Sequence, residues 1–225
     1  MKIILCVGVF VCLLTAILEA GTFTVFGPES YIRDANSPDL ITKTFAVANP
    51  VGTSYTLRVN NGGLVDGTYE KASSSIFTLN GIQIVGTSEF SQNVPIVEKP
   101  VTLSTNNQLS VEIHGKPGGG VTVQIFGIDD GPPSISTTAA PVLNTDGWNN
   151  SDVTVSFTCS DSLSGIQSCA SSVVVSTEGA NQVISGTATD LAGNSATTSV
   201  TINLDKLQRL EAREAQPSTA MHRLR

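Results

Sequence analysis

The chain has 225 residues, a net charge of −7 and only 14% charged residues. Ser, Thr, Asn, Gly and Val dominate, as they do in β-sandwiches rather than in helical proteins. An acidic surface with scattered lysines repels phosphate backbones and anionic lipid, so nucleic-acid binding and membrane-surface binding are both excluded as expectations.

Met1-Lys2 is followed by an apolar run from Ile3 to about Leu18 and a small residue at Ala20. This reads as a secretory signal peptide over 1–20, cut after Ala20. The competing reading is an uncleaved anchor, but the run is shorter than the ~20 residues a spanning helix needs. Lipidation at Cys12 is rejected because the bulky Val11 precedes it. No later segment is apolar enough to span a bilayer, so the mature chain is expected to be secreted, extracellular or at the cell surface, without a transmembrane segment. Cleavage removes Cys6 and Cys12 and leaves Cys159 and Cys169, which in an exported chain are expected to form a disulfide.

A first β domain is expected over 21–130. Period-two alternation in Thr44–Val47, Ser54–Val59 and Leu109–Ile113 buries one sheet face and wets the other. Asn80-Gly81, between Ile76–Leu79 and Ile82–Val85, predicts a type I′ hairpin. Lys116–Gly120 is read as a second hairpin, joining the Leu109–Ile113 strand to Val121–Phe126. Some seven short strands with frequent turns point to a sandwich or jelly roll. Asp129-Asp130-Gly131-Pro132-Pro133 reads as a boundary, since Pro cannot join a central strand.

A second β domain is expected over 131–206. Val153, Val155, Phe157 and Cys159 share one strand face, which aims the cysteine at the core. Ala196, Thr198, Val200, Ile202 and Leu204 make a second stripe. Trp148, the only tryptophan, either packs over one end of the sandwich or stacks on a sugar; packing is the commoner role.

The run from Gly147-Trp148-Asn149-Asn150 through Val153–Cys159 to Asp161, then Ser164-Gly165-Ile166, Thr177-Glu178-Gly179 and Gly186–Ala196, resembles a bacterial immunoglobulin-like (Ig-like or HYR-like) repeat over roughly 132–206. The first domain is similar, more loosely, to β-rich modules that precede such repeats. The resemblance implies an all-β protein of two sandwiches, N-terminal jelly-roll-like and C-terminal Ig-like. It implies a non-catalytic spacer, adhesion or assembly unit at a bacterial cell surface. The alternative is a secreted carbohydrate- or protein-binding module accessory to an enzyme. The partner would be an extracellular protein or a glycan. The tail, 207–225, is Arg-, Ala- and Glu-rich without strand patterning. It is either a short disordered or helical extension or the product of a frame shift in a longer repeat protein.

Chemistry is sparse. Two histidines, His114 and His222, lie near no nucleophile elbow, and His114 reads as a strand-end residue. Glu70, Glu89, Glu98 and Glu112 show no pairing pattern for a glycosidase. No catalytic residue is therefore expected. The one cofactor expectation is Ca²⁺, held by the loop carboxylates Asp161, Asp190 and Asp205. The same residues are also good turn formers, since Asp caps backbone N–H groups and Gly193-Asn194 tolerates left-handed φ. A glycan platform would draw on Tyr31, Tyr55, Tyr69 and Trp148.

Overall fold

A computed structural model describes residues 21–34, 39–62 and 69–207. The signal peptide, with Cys6 and Cys12, and the tail from residue 208, with His222, lie outside the described residues. The chain divides into two compact units, with the division between Ile128 and Asp129.

Among its described residues unit 1 contains nine strands: β1 (Thr22–Ile32), β2 (Asp39–Ala46), β3 (Tyr55–Asn61), β4 (Glu70–Lys71), β5 (Ser74–Leu79), β6 (Ile82–Val85), β7 (Ile96–Val101), β8 (Asn106–His114) and β9 (Gly119–Ile128). Two antiparallel sheets, β1-β9-β3-β7 and β2-β8-β5-β6, form a sandwich, and β4 pairs in parallel with β9. The alternation read in the sequence is what makes it: Tyr55, Leu57, Val59 and Asn61 are buried while their neighbours are half-exposed. Phe77, Leu57, Leu109, Ile113 and Ile125 fill the space between the sheets. Buried side chains of this kind contribute about 1.5–3 kcal/mol each relative to exposure.

Asn80 and Gly81 both take positive φ, 51° and 81°, as a type I′ turn requires, and join β5 to β6. The expected hairpin at Lys116–Gly120 is corrected. β8 pairs with β2 and β5, whereas β9 pairs with β1 and β3, so this connection crosses from one sheet to the other. β8 alternates as expected, whereas β9 is buried along nearly its whole length; a burial pattern fixes which face is covered and not which strand lies alongside.

Unit 2 contains β10 (Ser134–Ala140), β11 (Val153–Ser160), β12 (Ile166–Cys169), β13 (Val173–Val175), β14 (Gly179–Asp190) and β15 (Ser195–Leu204). They form two sheets, β10-β11-β13 and β12-β14-β15. The core is Val153, Val155, Val175, Ile202 and Leu204, with Ala139, Phe157, Ile184 and Val200 against it. Cys159 on β11 and Cys169 on β12 are disulfide-bonded, so the bridge ties one sheet to the other. It does so at the margin: Cys159 is half-buried and Cys169 exposed, not in the core as the strand pattern implied. The closed loop spans 10 residues. Cys159→Ala is expected to lower stability by about 3 kcal/mol through denatured-chain entropy, measured by urea unfolding with and without reductant.

In unit 1, Thr22 pairs with Ile128, so the chain enters and leaves at the same end. In unit 2, β10 begins opposite Ser160, beside the loop that carries Asp161. β15 starts at that end, after the Asp190–Asn194 turn, and finishes at Leu204, where it bridges Asn149. Nine steps along β15 cover roughly 30 Å. Unit 2 therefore takes the chain in at one end and releases it at the other. Among the described residues no helix is long and apolar enough to cross a membrane.

Candidate functional site: the acidic end of unit 2

Asp190 ends β14 and opens the turn into β15. Its N–H donates to Asn194 O at 3.0 Å, and Gly193, at φ 91°, closes the reversal. The side chain is fully buried; Oδ1 accepts from Ala192 N at 2.9 Å and Asn194 N at 2.8 Å, and Oδ2 accepts from Asn194 Nδ2 at 2.9 Å. Asp161 does the same for the β11–β12 connection, where its Oδ1 accepts from Leu163 N, Gly165 N and Ser164 Oγ. Asp129, also buried, accepts from Gly131 N and, across the fold, from Ser164 N. Asn194 Nδ2 also reaches Asp129 O at 2.7 Å. Asp129 thus joins the other two loops, its carboxylate accepting from Ser164 N and its main-chain carbonyl from Asn194 Nδ2.

One ligand atom from each of Asp129, Asp161 and Asp190 lies within 4.8 Å of the others. Among the described residues, none of the three has a cationic side chain within 4.0 Å. Two unit charges at such a separation repel by about 3 kcal/mol at an effective dielectric of ~20, so the N–H donors offset a real cost. Three hard oxygen donors at one end of a sandwich are the chemistry a Ca²⁺ ion takes.

Burial pushes the Asp161 carboxyl up, but N–H bonds from Gly165, Leu163 and Ser164, and the Ser164 hydroxyl, outweigh it and hold the group below its ordinary value. A carboxyl depressed on folding adds stability above its unfolded pKa and loses it as pH falls through the folded value. Unit 2 is therefore expected to weaken on acidification below about pH 4. Asp161→Asn should flatten that part of the stability–pH profile, read from urea midpoints between neutral and acid pH.

The structure brings together two of the three carboxylates expected from the sequence, Asp161 and Asp190. Asp205 lies at the opposite end of β15, where its N–H donates to Asn149 O and its Oδ1 accepts from Leu207 N. Its place in the cluster is taken by Asp129, which the sequence reading had absorbed into a boundary. Its signal was the carboxylate pair Asp129-Asp130 directly before the first strand of the unit.

Trp148 is half-buried, and its backbone is held by Asn144, whose Oδ1 accepts the Trp148 N–H at 2.9 Å. Tyr31 and Tyr55 are buried, with their hydroxyls donated to Glu29 and to Asn49 O, which removes them from any glycan platform. Tyr69 is half-buried and bonds Ser30 and Thr122. His114 ends β8, with Nε2 3.3 Å from Glu112 Oε1. Glu89 pairs with Lys99 and Glu98 with Arg58.

No family model matches the chain, and no curated protein matches it. Among solved structures it is similar to a GH2 beta-galacturonidase from Eisenbergiella tayi, at 12% identity and TM-score 0.26, over 72% of this chain and 35% of that one. It is also similar to the M60 catalytic domain with CBM51 domains of Clostridium perfringens ZmpB, at 14% identity and TM-score 0.30, over 74% of this chain and 18% of that one. The chain spans about a third of the first and under a fifth of the second. Likeness at this level carries neither activity nor ligand to this chain.

Proposed function

We propose that the chain is an extracellular, non-catalytic surface protein in which unit 2 is an Ig-like spacer and unit 1 a head that meets a partner. The observation that supports this reading is the path through unit 2, in at the acidic end and out roughly 30 Å away along β15. A module threaded in this way adds its own length to a stalk. Unit 1 is threaded differently: with Thr22 beside Ile128, the start of β1 and the exit toward unit 2 share one end. The inter-sheet disulfide of unit 2 suits an oxidising, extracellular setting.

The test is protease shaving of intact source cells, followed by an immunoblot with antibody to residues 21–206. Loss of the band from intact cells, or its presence in the medium, supports the reading. A band that survives shaving and fractionates with the cytosol contradicts it. Calcium is proposed for the acidic end on the chemistry of its donor set alone. A higher melting temperature in calcium than in chelator would support it, and identical melting would remove it.

A further inference from the structure

The two sheets of unit 2 each end in a strand paired on one side only: β10 is bonded to β11 and β15 to β14. Between these two edges lies a groove of about 360 Å³, lined by Ala139, Val142, Leu143, Asn149, Val200 and Ile202. The wall is apolar except for Asn149 and Thr201, and Val142 and Leu143 are exposed at the rim.

Asn149 is the informative residue. It is 2% exposed, and its Nδ2 donates to Pro141 O at 2.8 Å, yet its Oδ1 has no hydrogen-bond partner. Exchanging the amide oxygen and nitrogen would set an acceptor against the Pro141 carbonyl, so the acceptor is the atom left over. A buried acceptor without a donor is uncommon, and here it belongs to a residue that lines the groove.

The backbone of Asn149 shows what fits. Its N–H donates to Asn203 O at 2.8 Å, and its carbonyl accepts from Asp205 N at 2.9 Å, so this segment already runs beside the free edge of β15 for one bridge. Residues two apart on a strand turn their backbone groups to the same side. Thr201, which also lines the groove, therefore presents its N–H and C=O to the edge that Asn203 and Asp205 use.

We infer that this groove accepts an extended peptide segment with apolar side chains at alternate positions. The segment continues the β15 edge at Thr201, places its apolar side chains on Val200, Ile202 and Ala139, and donates an N–H to Asn149 Oδ1. This is strand addition, in which backbone bonds supply affinity and pockets for alternate side chains supply selectivity. A small apolar molecule would meet the floor but leave the strand edge unanswered. The inference is independent of the spacer reading, because shaving reports location and this site reports binding.

The test uses the full mature chain, labelled with ¹⁵N, titrated with acetylated heptapeptides that alternate Thr with Val or Leu. The expected result is saturable shifts at the Thr201 amide and the Asn149 carboxamide, with a dissociation constant below about 1 mM. Thr201→Pro, which removes an edge N–H that β14 does not use, should weaken binding by at least about tenfold. Val142→Lys lies outside the strands and provides a second variant that keeps the fold; it should weaken binding as well. No saturable binding by any peptide at about 1 mM, or binding unchanged in both variants, overturns the inference. Self-association of the chain that Val142→Lys abolishes also overturns it, by placing a second copy in the groove.

Discussion

Asp190→Ala is expected to be less stable than Asp190→Asn by about 3 kcal/mol, because each buried donor left without an acceptor costs about 1–3 kcal/mol. Both variants remove the charge, so relief of repulsion from Asp129 and Asp161 cancels in the comparison. What differs is the acceptor: asparagine keeps an oxygen for Ala192 N and Asn194 N, and alanine does not. The new amide of the asparagine variant would face Asn194 Nδ2, but that group has Asp129 O and Gly131 O to turn to. Trp148 is the only tryptophan and lies in unit 2, so its fluorescence during urea unfolding reads this unit alone. Equal stability of the two variants would mean that the carboxylate is present for its charge, and the cation reading of this end would gain.

Phe77→Ala is expected to cost about 3–5 kcal/mol, the largest effect of a single truncation in unit 1. Phe77 is 0% exposed, on the face of β5 that meets the opposite sheet, with the Phe90 ring 6.1 Å away centre to centre. Its removal leaves a cavity in a close-packed layer that the sheet backbones cannot collapse to fill. Phe77→Leu keeps most of the volume and should cost about 1 kcal/mol. Circular dichroism of the β signal against urea gives both values. A change below 1 kcal/mol for alanine would mean that the sandwich interior is not packed as described.

The turn at Asn80-Gly81 and the alternation of β3, β8 and β15 were legible because each depends on residues within a few positions. So was the stripe ending in Ile202 and Leu204, both of which are buried. The β8–β9 crossing was not, since β8 finds its partner β2 far earlier in the chain and alternation carries no address. The acidic site was half legible. Asp161 and Asp190 share turn chemistry and an end of the sandwich. Asp205 shares the chemistry but follows a ten-residue strand that begins beside Asp190, and that length alone separates them. Asp129 was missed because Gly131, Pro132 and Pro133 make its surroundings read as linker, although two loops of the unit close on it. The cysteine pair was legible as a bond, but its exposure was not, since Cys159 lies where β11 runs out of the core.

A spacer role for unit 2 requires that it carry load from its acidic end to the far end of β15. Single-molecule pulling of the mature chain tests it, with attachment at Pro133 and Lys206 compared with attachment at Pro133 and Leu191. The first pair lies at opposite ends and loads β10 along its own axis, so that all of its bonds to β11 must shear together. The second pair lies at one end and opens those bonds in turn. A clearly higher unfolding force is expected for the end-to-end pair. Equal or lower force in that direction would contradict a spacer role for this unit.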